Sequence, residues 1–171
     1  MPRPDTSEYA DPYRAYVALA LEEEIVPAMR AQLVDEFALL KTAPEHEFSR
    51  RHPPYTWSIK QVVGHLIDAE RIFGCRALRF ARGDATPLPG FDENSYVELG
   101  EFERRSPADL LAELDTVRQS HLFLFENFTD DAWDRRGLAS GHEVSVRALA
   151  YIMVGHVRHH LAIVRKRLSS T

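Results

Sequence analysis

The chain reads as an all-α protein, a four-helix bundle with a long crossover loop between its second and third helices. Three observations predict this. Apolar residues recur with a period of about 3.6 along four long stretches, the mark of amphipathic helices. Convincing alternating strands are absent. The connection over residues 83–105 is too long for a hairpin loop and lets the second and third helices lie parallel. With 171 residues, 44% hydrophobic and 27% charged, the sequence suits a single globular domain over residues 1–171, with residues 1–10 an irregular tail.

The elements follow in order. Asp11-Pro12 supplies an N-cap and a proline at the first helical position, so the first helix starts there. Pro27 does not fit a helix interior, so this helix kinks or restarts near it. Met29, Leu33, Phe37 and Leu40 then form an apolar stripe ending near Lys41. Residues 42–56, rich in proline and charge, read as a loop. Ser58 and Gln61 have capping-box spacing and open the second helix, which runs to about Arg82 before Gly83. In the crossover, Pro89-Gly90-Phe91-Asp92-Glu93-Asn94 reads as a shaped loop, with Asp92 and Glu93 where lid residues would lie. Ser106-Pro107 opens the third helix, with Leu110, Leu114, Val117, His121 and Leu124 on its inner face. A short helical turn is expected at residues 129–133 and a break between Gly137 and Gly141. Ser145 caps the fourth helix, which runs to about Leu168.

Composition narrows the function. The formal net charge is −5 and no basic run is long enough to track a phosphate backbone, so a nucleic-acid partner is not expected. The cluster Arg158, Arg165, Lys166 and Arg167 lies near a helix C-terminus, where cations belong. The one cysteine, Cys75, cannot form an internal disulfide, and cysteine-rich zinc sites are excluded. The N-terminal residues lack the apolar run of a signal peptide, and no stretch of about 18 apolar residues could span a membrane, so a cytoplasmic protein is expected.

Chemistry centres on Gly155-His156-Val157-Arg158-His159-His160. His156 and His160 are four apart, one turn above the other on one helix face, which is a chelating geometry. At about 100° per residue, Leu149, Ile152 and Ile163 share that face, so both histidines point at the core. His65 is framed by Val62, Ala69 and Ile72 and points inward from the second helix. Three imidazoles from two helices would leave a coordination position open for water or substrate. The alternative is that each histidine is a hydrogen-bonded core residue, as His121 and Cys75 are read here, but burying three imidazoles without a partner is costly. Val157 stands where a zincin has its glutamate, so no general base accompanies the ligands and this is not a protease signature. Weaker catalytic candidates are Asp68, beside the His65 face; His142, ahead of the fourth helix; and His159, at the rim of the pair. No nucleophile elbow or phosphate-binding glycine loop occurs.

Three segments, Trp57–Leu66, Thr86–Asn94 and Gly155–His160, resemble the DinB/YfiT-like superfamily, and the resemblance extends over about residues 24–168. One histidine in the second helix and a pair in the fourth is more specific than any single motif. The resemblance implies a four-helix bundle with a three-histidine site at His65, His156 and His160, binding nickel or zinc, commonly in a homodimer. It also implies a small-molecule substrate: some members are transferases or isomerases using a low-molecular-weight thiol such as bacillithiol or mycothiol, and others are metal-dependent hydrolases. Two functions of different class follow: a metal-dependent S-transferase or hydrolase, and a non-catalytic stress-response or binding module stapled by its metal.

Overall fold

The structure, a computed structural model, describes residues 2–169. The chain runs α1 (Arg14–Leu19), α2 (Ile25–Ala31), a π-helical turn (Gln32–Glu36), α3 (Ala38–Lys41), α4 (Ile59–Ala81), α5 (Glu93–Leu99), α6 (Pro107–Glu126), α7 (Asp130–Asp134), β1 (Arg136–Ala139), β2 (His142–Ser145) and α8 (Val146–Ser169). Caps set the boundaries of the long helices. Ser58 Oγ accepts from the Gln61 amide at 3.2 Å while the Gln61 side chain accepts from the Ser58 amide at 3.0 Å. Ser106 caps α6 through the Asp109 amide at 3.1 Å, and Ser145 caps α8 through the Ala148 amide at 2.9 Å. Among the described residues, no helix is long and apolar enough to cross a membrane.

The first helix of the bundle is broken into pieces. A new helix begins at Ile25, which leaves Pro27 in its first turn, where a missing N–H costs nothing. The π-helical turn then shifts the helix face by one residue before α3.

Cross-helix pairs give the directions. Glu70 pairs with Arg118 at 2.7 Å, Gly74 lies against the His121 ring, and in the two hydrophobic clusters residue numbers on α4 and α6 rise together. These neighbours are therefore parallel, as the long crossover permits. Gln32 reaches the Val154 carbonyl at 2.9 Å and Arg158 reaches Glu36 at 2.9 Å, so the first helix also runs parallel to α8. Arg118 bonds Gln32 while Asp115 pairs with Lys41, so α6 runs opposite to the first helix. The bundle is thus up–down–down–up. One apolar cluster gathers around Phe73, Phe80, Phe125 and Tyr151, the other around Phe37, Leu66, Leu110 and Val157.

Several expectations are corrected. Strands were not expected, yet β1 and β2 form an antiparallel hairpin pairing Arg136 with Ser145 and Ala139 with His142. Its turn is Ser140-Gly141, both at positive φ (54° and 80°), the backbone a two-residue hairpin loop requires. What reads as a break between Gly137 and Gly141 is this hairpin. Leu88 pairs with it through the Leu138 carbonyl and Ser140 amide, tying the crossover down. The crossover also carries α5, capped by Asp92. Residues 2–10 are irregular except for one turn, yet part of the segment packs on the bundle, while Met1 lies outside the described residues. Thr6–Glu8 form a 3₁₀ turn, and Glu8 is buried, accepting from Ser145 at 2.7 Å and pairing with Arg147 at 3.1 Å. On α6, Val117 and Leu124 are half-buried and Arg118 occupies the inner face with them. Cys75 is exposed, not a core residue.

One glycine decides how α1 docks. A Cβ on Gly155 would lie 1.8 Å from the Tyr16 carbonyl oxygen, so α1 crosses α8 at backbone contact. Gly155→Ala must displace α1 and is expected to cost about 1–3 kcal/mol, as overpacking does. Urea denaturation is the check, and an unchanged midpoint would mean that α1 does not rest there.

Candidate metal centre

His65 comes from the second turn of α4, and His156 and His160 from successive turns of α8. The antiparallel crossing of these helices brings the three rings together. The Nε2 atoms of His65 and His156 are 3.0 Å apart and those of His160 and His156 are 3.1 Å apart. Ligand atoms of all three lie within 4.8 Å of one another. A tetrahedral ion at a metal–nitrogen distance of about 2.0–2.1 Å would set its donors roughly 3.3 Å apart. Two of the three separations lie close to that, and three imidazole nitrogens are a donor set that suits a divalent metal ion.

Electrostatics suit the same end. Burial pushes the His65 imidazole down to about 4, against a smaller upward pull from Glu93. Burial first, then His65 and His159, pushes His160 down to about 3. His156, the most enclosed, lies well below its ordinary value through burial and then its two histidine neighbours. At neutral pH all three are uncharged, the form in which imidazole binds metal.

The cluster opens into a cavity of about 380 Å³. Tyr13, Tyr16, Trp57, Phe73 and Phe91 wall it, and Glu93 and Ser140 supply polar groups at its edge. Tyr16 packs edge-on against His156 at 5.2 Å and against His159 at 5.4 Å. Trp57 leans on His65 at 5.0 Å. These aromatic rings restrict the imidazoles and exclude water from one side of the site. The Tyr16 phenol is raised by burial and then by Glu93, so it stays protonated and can donate.

The remaining candidates separate. Glu93, the first residue of α5, faces the cavity, while Asp92 spends its carboxylate on the Asn94 and Ser95 amides as the cap. His159 sits half-buried at the rim, its ring 5.1 Å from that of His160. Asp68 does not line the cavity. Burial raises its carboxyl, and its electrostatic neighbours are Arg71 and Glu113 rather than the histidines. His142 is exposed on β2 and lies outside the cavity wall. His121 is hydrogen-bonded in the core, 3.1 Å from Glu70.

Sequence reasoning missed the aromatic wall from α1 and the buried group behind the site. Arg118 is fully buried, bonding Glu70 at 2.7 Å and Gln32 at 2.9 Å. Gln32 in turn holds the Val154 carbonyl, two residues before His156. A signal was available in Glu70, a carboxylate on the apolar face that also carries Leu66, Phe73 and Ala77 and so in need of a cation.

Fold and site together define a class: four-helix bundles whose buried histidine cluster, supplied by two helices, opens to a cavity. A family profile described as the DinB superfamily matches residues 30–164. The chain belongs to the DinB superfamily. Among solved structures it is similar to YfiT from Bacillus subtilis, described as a probable metal-dependent hydrolase with an unusual four-helix bundle topology. The TM-score is 0.73 and the identity 17%, over 96% of this chain and 90% of that one. It is also similar to the mycothiol-dependent maleylpyruvate isomerase, with a TM-score of 0.67 and 17% identity, over 85% of this chain and 60% of that one. Comparison with curated proteins gave no match.

Proposed function

We propose that this protein is a metal-dependent enzyme holding a divalent ion, zinc or nickel, on His65, His156 and His160, and acting on a small molecule. The observation that carries the proposal is the convergence of three buried, neutral imidazoles at the base of an open cavity. A structural tetrahedral site is closed by four protein ligands, whereas a catalytic one keeps a position free. Among the described residues only these three histidines form a ligand group, and the cavity adjoins them. This favours catalysis over a metal staple.

The ion would supply Lewis acidity, lowering the pKa of a bound thiol or water. The chain supplies the rest. Glu93 accepts the proton released by the nucleophile, the Tyr16 hydroxyl donates to an oxygen of the substrate, and the aromatic wall holds an apolar electrophile against the cluster. The neighbours in fold bracket the chemistry, one described as a hydrolase and the other as mycothiol-dependent. The reading adopted here is thiol-dependent S-transfer with a low-molecular-weight thiol, with hydrolysis as the variant in which water replaces the thiol. A cytoplasmic location, where thiols stay reduced, accords with this. The enzyme is proposed to act as a homodimer, which light scattering would test.

Elemental analysis of protein purified without a nickel column is expected to find about one zinc or nickel per chain, and none in His65→Ala. Incubating the loaded protein with a thiol and a chlorinated aromatic electrophile should release chloride above background. No metal in the unaltered protein would remove the basis of the proposal. Metal without turnover with any common thiol would leave hydrolysis to be assayed.

A further inference from the structure

Arg76 is buried on α4, with only 3% of its surface exposed. Among the other buried or half-buried arginines, Arg118 has Glu70, Arg147 has Glu8 and Arg158 has Glu22 as carboxylate partners, while the buried Arg167 bonds His52 and the Arg50 carbonyl. Arg76 has no carboxylate partner among the described residues. Its Nη2 donates to two neutral acceptors, the Pro89 carbonyl and Ser140 Oγ, each at 2.9 Å. A buried guanidinium without an anion is an expensive arrangement. It is explained if the anion comes from outside.

A cleft of about 290 Å³ leads to this residue. Arg71 and Arg79 also border it, but Glu113 and Asp84 already answer their charges, each at 2.6 Å. The rest of its wall is largely apolar, with Ile72, Leu88, Phe91 and Tyr96, and the exposed Cys75. Phe91 is shared with the histidine cavity. Ser140 and Phe73, which Arg76 touches through a hydrogen bond and across the ring face at 5.9 Å, belong to that cavity as well. The cleft and the candidate metal centre are thus adjoining chambers, with Arg76 at the partition.

We propose that Arg76 is the recognition residue of an anion subsite for the carboxylate of a small apolar or aromatic acid. One unanswered guanidinium matches one negative charge, and with Nη2 committed to Pro89 and Ser140 its other nitrogens would donate to the carboxylate. The apolar wall matches the hydrocarbon part. A phosphate dianion would leave charge uncompensated. The link from this subsite to turnover rests on the metal-dependent reading above, and the binding itself does not.

Cys75 makes the test direct, because it borders the cleft and is the only cysteine. Its alkylation by neutral iodoacetamide is followed in the full chain with benzoate, benzamide or inorganic phosphate at matched ionic strength. Benzoate should slow alkylation saturably, and benzamide and phosphate should not. In Arg76→Gln the half-saturating benzoate concentration should rise about tenfold, as expected on losing a charge-assisted bond. Equal protection by benzamide would overturn the anion subsite, and equal protection by phosphate would overturn its assignment to a carboxylate. No protection by benzoate would overturn it altogether. If Arg76→Gln fails to fold, the benzoate–benzamide comparison on the unaltered protein still decides. Protection should persist in His160→Ala, so failure of the metal reading and failure of this one are told apart.

Discussion

Glu70→Ala is expected to destabilise the protein by about 3–5 kcal/mol, because it strands the buried Arg118 guanidinium without its counter-ion. For a chain of this size that corresponds to a fall in melting temperature of roughly 6–20 °C. The loss comes from the orphaned charge rather than from the pair's own strength. Replacing both partners with apolar residues, Glu70→Leu with Arg118→Met, should therefore recover most of it. Calorimetry of the single and double variants decides, and a double variant as unstable as the single would show the pair to be net stabilising. Burial alone would raise the Glu70 carboxyl, but Arg118 and His121 outweigh it and hold it below its ordinary value. The unfolded carboxyl then protonates at a higher pH than the folded one. The pair's contribution is complete above the ordinary value of 4.5 and drains away as pH falls through the depressed folded value.

His160→Ala is expected to weaken metal binding by more than the 10–100-fold cost, roughly, of losing an outer-shell partner, and to abolish activity. Its effect on the stability of the metal-loaded protein should be mild, where loss of a metal staple would lower the melting temperature markedly. The metal-free protein should also carry a signature in pH. Unfolded imidazoles protonate near 6.5, whereas burial holds His65 to about 4 and His160 to about 3. Below pH 6.5 the unfolded state binds more protons, so stability is full above that value and declines as the solution is acidified toward the folded values. Each such group adds up to about 1.4 kcal/mol per pH unit. Removing His160 removes one of them, so the metal-free variant should lose stability less steeply between pH 6.5 and about 4. Urea midpoints measured with chelator across that range test this; parallel curves would mean that His160 is not buried as a neutral ring.

The ligand cluster was legible because one period governs it. Helical spacing puts His156, His160 and the neighbouring aliphatics on one face, and the same arithmetic turns His65 inward from another helix. Caps were equally local, and Ser58, Ser106 and Ser145 each begin their helix as read. What escaped depends on distant partners. Arg118 falls four residues after Leu114, on the buried face, but its charge argued for solvent until Glu70 and Gln32 were seen around it. Glu8 was hidden in the same way, since Ser145 and Arg147 lie at the far end of the chain. The hairpin has four residues per strand, too few for alternation to register, and only Ser140-Gly141 marked it.

The placement of α1 bears on how this chain could differ from its kin. The span matched by the superfamily profile begins at residue 30, whereas Pro12, Tyr13 and Tyr16 lie ahead of it and form one side of the cavity. The three histidines and one side of the chamber above them are thus drawn from separate portions of the chain. Exchanging Pro12 and Tyr13 would reshape what the chamber admits while leaving Tyr16 against His156 and the bundle that aims the histidines in place. The shape of the chamber can then change at its N-terminal lining without any change in the histidine cluster beneath it.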